Sequence, residues 1–129
     1  MVPTSEEIMA LSELWLDTVK THDPSAVTEL YAPYGVLVGT VAQRIKQGHE
    51  DIEGYFDMFL AKDGLTGTYQ SHLIQTFNNW AIDSGTYTFE WVEEGKSVIV
   101  PARFTFVYEK SDYDRGWRIA NHHSSELPL

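Results

Sequence analysis

The hydrophobic pattern of this chain changes period once, near Gly67, and that change limits the folds open to it. Before Gly67 the apolar residues recur at helical spacing; after it they alternate with a period of two. Thr4 and Glu7 have capping-box spacing, which satisfies free backbone donors at a helix start. Ile8, Leu11, Trp15 and Val19 then share one face of a helix reaching about Thr21. Asp23-Pro24 starts a second, short helix, a cap followed by proline at the first helical position, with Val27, Leu30 and Tyr31 turned inward. Pro33 and Gly35 end it, and Val36 to Thr40 reads as a strand. A third helix spans about His49 to Lys62, with Ile52, Tyr55, Phe56 and Phe59 on one face and the acids Glu50 and Asp51 in its first turn.

The alternating half reads as five strands: Tyr69 to Phe77, Asn79 to Ile82, Gly85 to Val92, Val98 to Lys110 and Trp117 to Ser125. Asp83-Ser84-Gly85, Glu93-Glu94-Gly95 and the polar run Ser111 to Gly116 supply the turns. Helices first and strands afterwards predict an α+β fold, with helices on one face of a curved antiparallel sheet. The 129 residues form a single domain, 1–129.

Composition removes several function classes. The chain has no cysteine, which excludes disulfides, thiol nucleophiles, zinc–thiolate sites and iron–sulfur ligation. With 9 basic and 19 acidic residues its net charge is −10, which disfavours nucleic acid and anionic membranes as partners. No apolar run approaches the roughly 20 residues of a membrane span. The acidic N-terminus is unlike a secretory signal. A soluble protein of the cytoplasm or a plastid-like compartment is expected.

No G-x-S-x-G elbow, phosphate-binding glycine loop or H-E-x-x-H occurs, so catalytic residues are not assigned from motifs. Polar groups on the strands are the remaining candidates. Strand alternation puts Arg103, Thr105 and Val107 on one face and Phe104, Phe106 and Tyr108 on the other. An arginine in such a strand needs a partner. It is either an internal acid such as Glu90 or a bound anion, whose carboxylate would match the guanidinium fork. His122 and His123 are adjacent and should point to opposite faces, so they do not form a metal pair. His72 and His123 could meet across the sheet but lack a third ligand; no metal or other cofactor is expected. Tyr69, His72, Glu90 and His123 are also the groups that could do acid–base work.

One stretch carries a specific resemblance. Arg103-Phe104-Thr105-Phe106-Val107-Tyr108, Gly116-Trp117-Arg118-Ile119, His122-His123-Ser124-Ser125 and Pro128 resemble the closing hairpin of the association, or hub, domain of calcium/calmodulin-dependent protein kinase II and its stand-alone bacterial and algal relatives. Leu30-Tyr31-Ala32-Pro33, Ile52 with Tyr55-Phe56, and Asp83 to Phe89 agree in order, so the resemblance covers nearly the whole chain. It implies the nuclear transport factor 2-like fold, a cone of curved sheet around a long N-terminal helix. It also implies homodimers assembled into a closed ring of more than ten subunits, and an interior pocket for a small carboxylate. In that pocket Arg103 and His123 would be the matching residues, with Tyr69, His72 and Glu90 beside them. Ser124 stands where the kinase hub has a further arginine. No kinase domain is present. The alternative within the same superfamily is a small-molecule enzyme of the ketosteroid isomerase or SnoaL type, working in the cone.

Overall fold

The computed structural model describes residues 1–128. Helix α1 (Ser5–Val19) starts where the capping box places it: Thr4 Oγ1 accepts the Glu7 N–H at 3.1 Å. Its buried stripe is Ile8, Ser12, Trp15, Leu16 and Val19, so a serine sits in the middle of the apolar face. Asp23 caps α2 (Pro24–Thr28) by accepting the N–H groups of Ser25 and Ala26. After β1 (Tyr31–Val38) and β2 (Lys46–Gln47), helix α3 (His49–Phe59) buries Ile52, Tyr55, Phe56 and Phe59. Four long strands follow: β3 (Asp63–Thr76), β4 (Trp80–Glu93), β5 (Lys96–Lys110) and β6 (Trp117–Glu126).

The strands form one six-stranded sheet in the order β2-β1-β6-β5-β4-β3. β3 to β6 are an antiparallel meander, but β1 joins β6 in parallel. A parallel neighbour cannot be reached by a hairpin, and here α3 and the meander lie between the two strands. The core lies on the inner face, where α1 and α3 meet Tyr87, Phe89, Trp91, Ala102, Phe104, Phe106 and Tyr108. Trp15 is at its centre, stacked on Tyr87 and edge-on to Phe56, Phe89 and Phe106. No described helix is long and apolar enough to cross a membrane.

Besides the parallel β1, the earlier start of β3 at Asp63 and the end of α3 at Phe59, three departures from the sequence reading bear on the polar groups or the sheet edge. Asp83-Ser84-Gly85 is not a turn, because β4 runs unbroken through it and Asp83 is fully buried. β1 begins at Tyr31 rather than Val36: Pro33 is accommodated where the β1–β6 register slips between Tyr31 and Val36. The two-residue β2, too short to show a period, has no counterpart in the pattern.

Candidate functional site

Two polar systems fill the inner face, and a third group of polar residues lines the outer one. The first inner system is a relay around His122. Trp15 Nε1–H donates to the Tyr31 hydroxyl at 3.1 Å, and that hydroxyl lies 2.8 Å from His122 Nδ1. On the other side of the ring, His122 Nε2 is 3.1 Å from the Tyr87 hydroxyl, which donates to Ser124 Oγ at 2.6 Å. Ser124 in turn bonds Thr40. Tryptophan can only donate and Tyr87 spends its proton on Ser124, so the order of donors fixes a neutral His122 carrying its proton on Nε2. Burial pushes the His122 pKa down to about 3. The void between these groups is about 10 Å³, room for no more than a single water.

The second inner system surrounds Asp83. Its Oδ2 accepts from Ser12 Oγ at 2.6 Å and from His72 Nδ1 at 2.8 Å, while Oδ1 is buried without a partner among the described residues. The Tyr108 hydroxyl donates to Ser12 Oγ, and the Tyr69 hydroxyl donates to the Ser12 carbonyl at 2.6 Å. Tyr69 and His72 are three residues apart, yet both face inward. Gln70 is an extra residue between the Tyr69–Tyr87 and Ser71–Thr86 pairs, a β-bulge that resets the alternation. At the bulge the Ser71 carbonyl leans over Gly85, where a Cβ would lie only 1.9 Å from the oxygen.

On the outer face, Arg103 does not enter the interior as the sequence reading supposed. Phe104, Phe106 and Tyr108 take the inward positions of β5, and Arg103 is exposed. It lines an open depression of about 520 Å³ with His123 and the hydroxyls of Ser71, Ser84, Thr86, Thr105 and Ser125. In register, Arg103 stands between Thr86 of β4 and Ser125 of β6, and His123 stands beside Thr105. Among the described residues Arg103 makes no ion pair, whereas Arg44 is held by Asp51 and Arg118 by Asp114.

Glu90 shares this outer face but pairs with Ile99, four residues along β4 from Thr86. At about 3.3 Å per residue it is roughly 13 Å from the Arg103 position, and the internal pair is not made. The five expected site residues therefore divide. Arg103 and His123 meet outside, Tyr69 and His72 meet inside, and Glu90 joins neither. His122 and His123 do face opposite ways, so His72 and His123 lie on opposite sides of the sheet. The sequence reading missed Ser12, Asp83 and Tyr108 because Asp83 looked like a turn residue. The row Ser84, Thr86 and Thr88 carries in its regular spacing the signal of a mild polar outer face.

This architecture, a helix-lined cone of six strands, is the nuclear transport factor 2-like fold. A nuclear transport factor 2-like superfamily protein from Salmonella enterica matches with a TM-score of 0.85 at 20% identity, over 96% of this chain and 91% of that one. A structure described as a dehydratase of the same fold family, from Streptomyces avermitilis, matches with a TM-score of 0.82 at 13% identity, over 96% of both chains. Residues 4–128 match the calcium/calmodulin dependent protein kinase II association domain, and the chain belongs to that family. A structure described as such an association domain, from Xanthomonas campestris, is 41% identical with a TM-score of 0.90, over 98% of this chain and 89% of that one. Among curated proteins, none matches the sequence.

Proposed function

We propose that this chain is a self-assembling hub: one association domain, 1–129, whose dimers pair through the outer face of the sheet and close into a ring of more than ten subunits. The observation that carries this reading is the bare outer face. All three helices lie on the other side, and β3 to β5 present Leu73 at 75% and Ile99 at 58% exposure to solvent. Outward positions on β4 and β5 are mostly Ile82, Ser84, Thr86, Thr88, Pro101, Thr105 and Val107, so charge is sparse on a chain of net −10. The occupant that fits is a second copy, since the family is one of association domains. A stable pair needs about 800 Å² from each partner. That is roughly a ninth of the 7355 Å² surface.

Arg103 and His123 form the proposed ligand site, for a small carboxylate. The acidic surface supports a partner set without nucleic acid or anionic membrane, and a cytoplasmic setting belongs to the same reading. Native mass spectrometry at micromolar concentration tests it: even-numbered species above ten subunits are expected. Ile99→Glu should reduce them to smaller species with the fold intact. A wild-type chain that is monomeric throughout overturns the reading.

One observation favours a second reading, acid–base catalysis in the cone. His72 Nδ1 is held by the buried Asp83, which leaves Nε2 to exchange a proton, and the side chain is 11% exposed. The dehydratase of like fold is too distant in sequence to assign a reaction. A turnover that His72→Gln abolishes without disturbing assembly would support it.

A further inference from the structure

At the other end of β5, six residues beyond Arg103 and roughly 20 Å along the strand, Glu109 borders a separate hollow. Its volume is about 470 Å³, within the roughly 300–1,000 Å³ of small-molecule sites. Two irregular segments build it. Between the Tyr31–Ile119 and Val36–Asn121 pairs, β1 spends four residues where β6 spends one, and three of those four, Ala32, Pro33 and Tyr34, line the hollow. A break of this kind takes side chains out of the ladder and re-aims them. The rest of the wall is the β5–β6 loop, tied by Ser111 Oγ accepting the Tyr113 N–H and by Asp114 accepting the Gly116 N–H.

The lining is acidic and aromatic together. Glu109, Asp112 and Asp114 stand against one cation, Arg118, and Asp114 holds that guanidinium at 2.9 Å. Neither Glu109 nor Asp112 makes an ion pair among the described residues, so two carboxylates are left without a base. Glu109 accepts the Tyr34 hydroxyl, which orients the carboxylate but leaves its charge in place. That hydrogen bond, with the charges of Glu109 and Asp112 behind it, raises the Tyr34 pKa above the ordinary phenol value. The rings are a second, separate feature: Tyr34 is 55% and Tyr113 99% exposed, so both offer their faces to an occupant of the hollow.

Carboxylates alone draw hydrated counter-ions, and rings alone draw apolar groups. Together they favour a cation with an apolar body, because the face of an aromatic ring is the negative side of its quadrupole. A metal ion fits less well, since among the described residues no three His, Cys, Asp or Glu side chains are grouped to hold one. The adjoining hollow under Trp80 shares Glu109 and Asp112, but Lys110 lines it as well and repels a cation there. We infer that the hollow between the β1 break and the β5–β6 loop binds a small organic cation, an alkylammonium or alkylguanidinium compound. Its charged head is met by Glu109 and Asp112 and its apolar body by Tyr34 and Tyr113. One chain supplies the whole wall, so the site does not rest on self-association.

The test is isothermal titration of the full chain, at fixed ionic strength, with n-butylammonium, n-butylguanidinium and choline chlorides and with neutral 1-butanol. Wild type is compared with Asp112→Asn and Tyr113→Ala, both at exposed loop positions, and with Asp57→Asn, which removes the same charge from the exposed side of α3. Saturable binding of at least one cation, one per chain, is expected, with none of butanol. Asp112→Asn and Tyr113→Ala should each weaken it by about three- to fivefold, and Asp57→Asn should leave it unchanged. A response to choline alone identifies a quaternary ammonium site, and one to the other two alone a site that accepts N–H donors on its carboxylates. Absence of saturable binding by all three cations overturns the inference. So does equal weakening by Asp57→Asn, since the general negative charge of the chain would then be the attraction. Binding that survives intact in Tyr113→Ala overturns it too, because the site would lack its aromatic wall.

Discussion

His122 cannot accept a proton where it sits: one ring nitrogen receives the Tyr31 hydroxyl, the other donates to Tyr87, and the ring stacks on Phe106. Its pKa in the fold is near 3 because burial disfavours the imidazolium. An unfolded histidine titrates near 6.5, so below that pH the unfolded chain takes up a proton that the folded chain refuses. The contribution is therefore complete above about pH 6.5 and is lost as pH falls toward 3, at about 1.4 kcal/mol per pH unit. His122→Gln should cost about 1–3 kcal/mol at pH 7 through the broken relay. It should also lose stability less steeply than wild type between pH 6 and pH 4. Urea unfolding at pH 7, 5.5 and 4 checks this; parallel acid limbs in the two proteins would show that His122 is not the proton acceptor. Two glycines give a second contrast at this scale. A Cβ on Gly85 meets the Ser71 carbonyl at 1.9 Å, while one on Gly54, in the exposed side of α3, meets nothing within 4 Å. Gly85→Ala should destabilise by about 3 kcal/mol through overpacking. Gly54→Ala should stabilise by about 0.5–1 kcal/mol. Equal midpoints in chemical denaturation would contradict both assignments.

Strand β3 shows how one residue can set the chemistry of an element. The bulge at Gln70 lets Tyr69 and His72 both face inward, and His72 Nδ1 then reaches the buried Asp83 Oδ2 at 2.8 Å. Because Gln70 is the extra residue, deleting it should leave Tyr69, Ser71 and His72 in simple alternation, with His72 still inward and the pairing beyond it unchanged. Asp83 then keeps its histidine, whereas His72→Gln removes that partner and should cost about 1–3 kcal/mol more than the deletion. Thermal melts of the deletion beside His72→Gln check this: His72→Gln should melt lower, and a deletion that melts as low or lower would refute the register argument. Such a bulge is invisible in a pattern of apolar and polar residues, and this limits what the sequence conveys. The caps at Thr4 and Asp23, the α3 face and the alternation on β5 are local rules, and each appears where the sequence puts it. The fate of Asp83 is not local. Asp-Ser-Gly is turn chemistry by composition, but Ser12 and Tyr108, 71 and 25 residues away, supply a hydroxyl pair that lets the acid stay inside a strand. Arg103 is an intermediate case: alternation separates it correctly from Phe104 and Phe106, but only the position of the helices decides which face is interior.

At the scale of the whole molecule, charge and shape pull in different directions. The outer face is mild and partly apolar, yet every copy brought to the proposed ring would add a further net charge of −10. These repel over distances set by salt, with a Debye length of about 30 Å at 0.01 M and about 8 Å at 0.15 M. The ion pairs within a copy, Arg44 with Asp51 and Arg118 with Asp114, are surface pairs that use up much of the scarce arginine locally. Few cations are then left to make attractive contacts between copies. In the proposed interface, contacts through Leu73, Ile99 and their neighbours would gain from water exclusion and would not weaken as salt rises. Assembly should therefore strengthen modestly as sodium chloride rises from 10 to 150 mM, with a dissociation constant several-fold lower at the higher salt. Light scattering across that range is the check. Rings that dissociate as salt is added would mean that ion pairs between copies, rather than the apolar outer face, hold the assembly, and the placement of the contact would have to move to a charged surface.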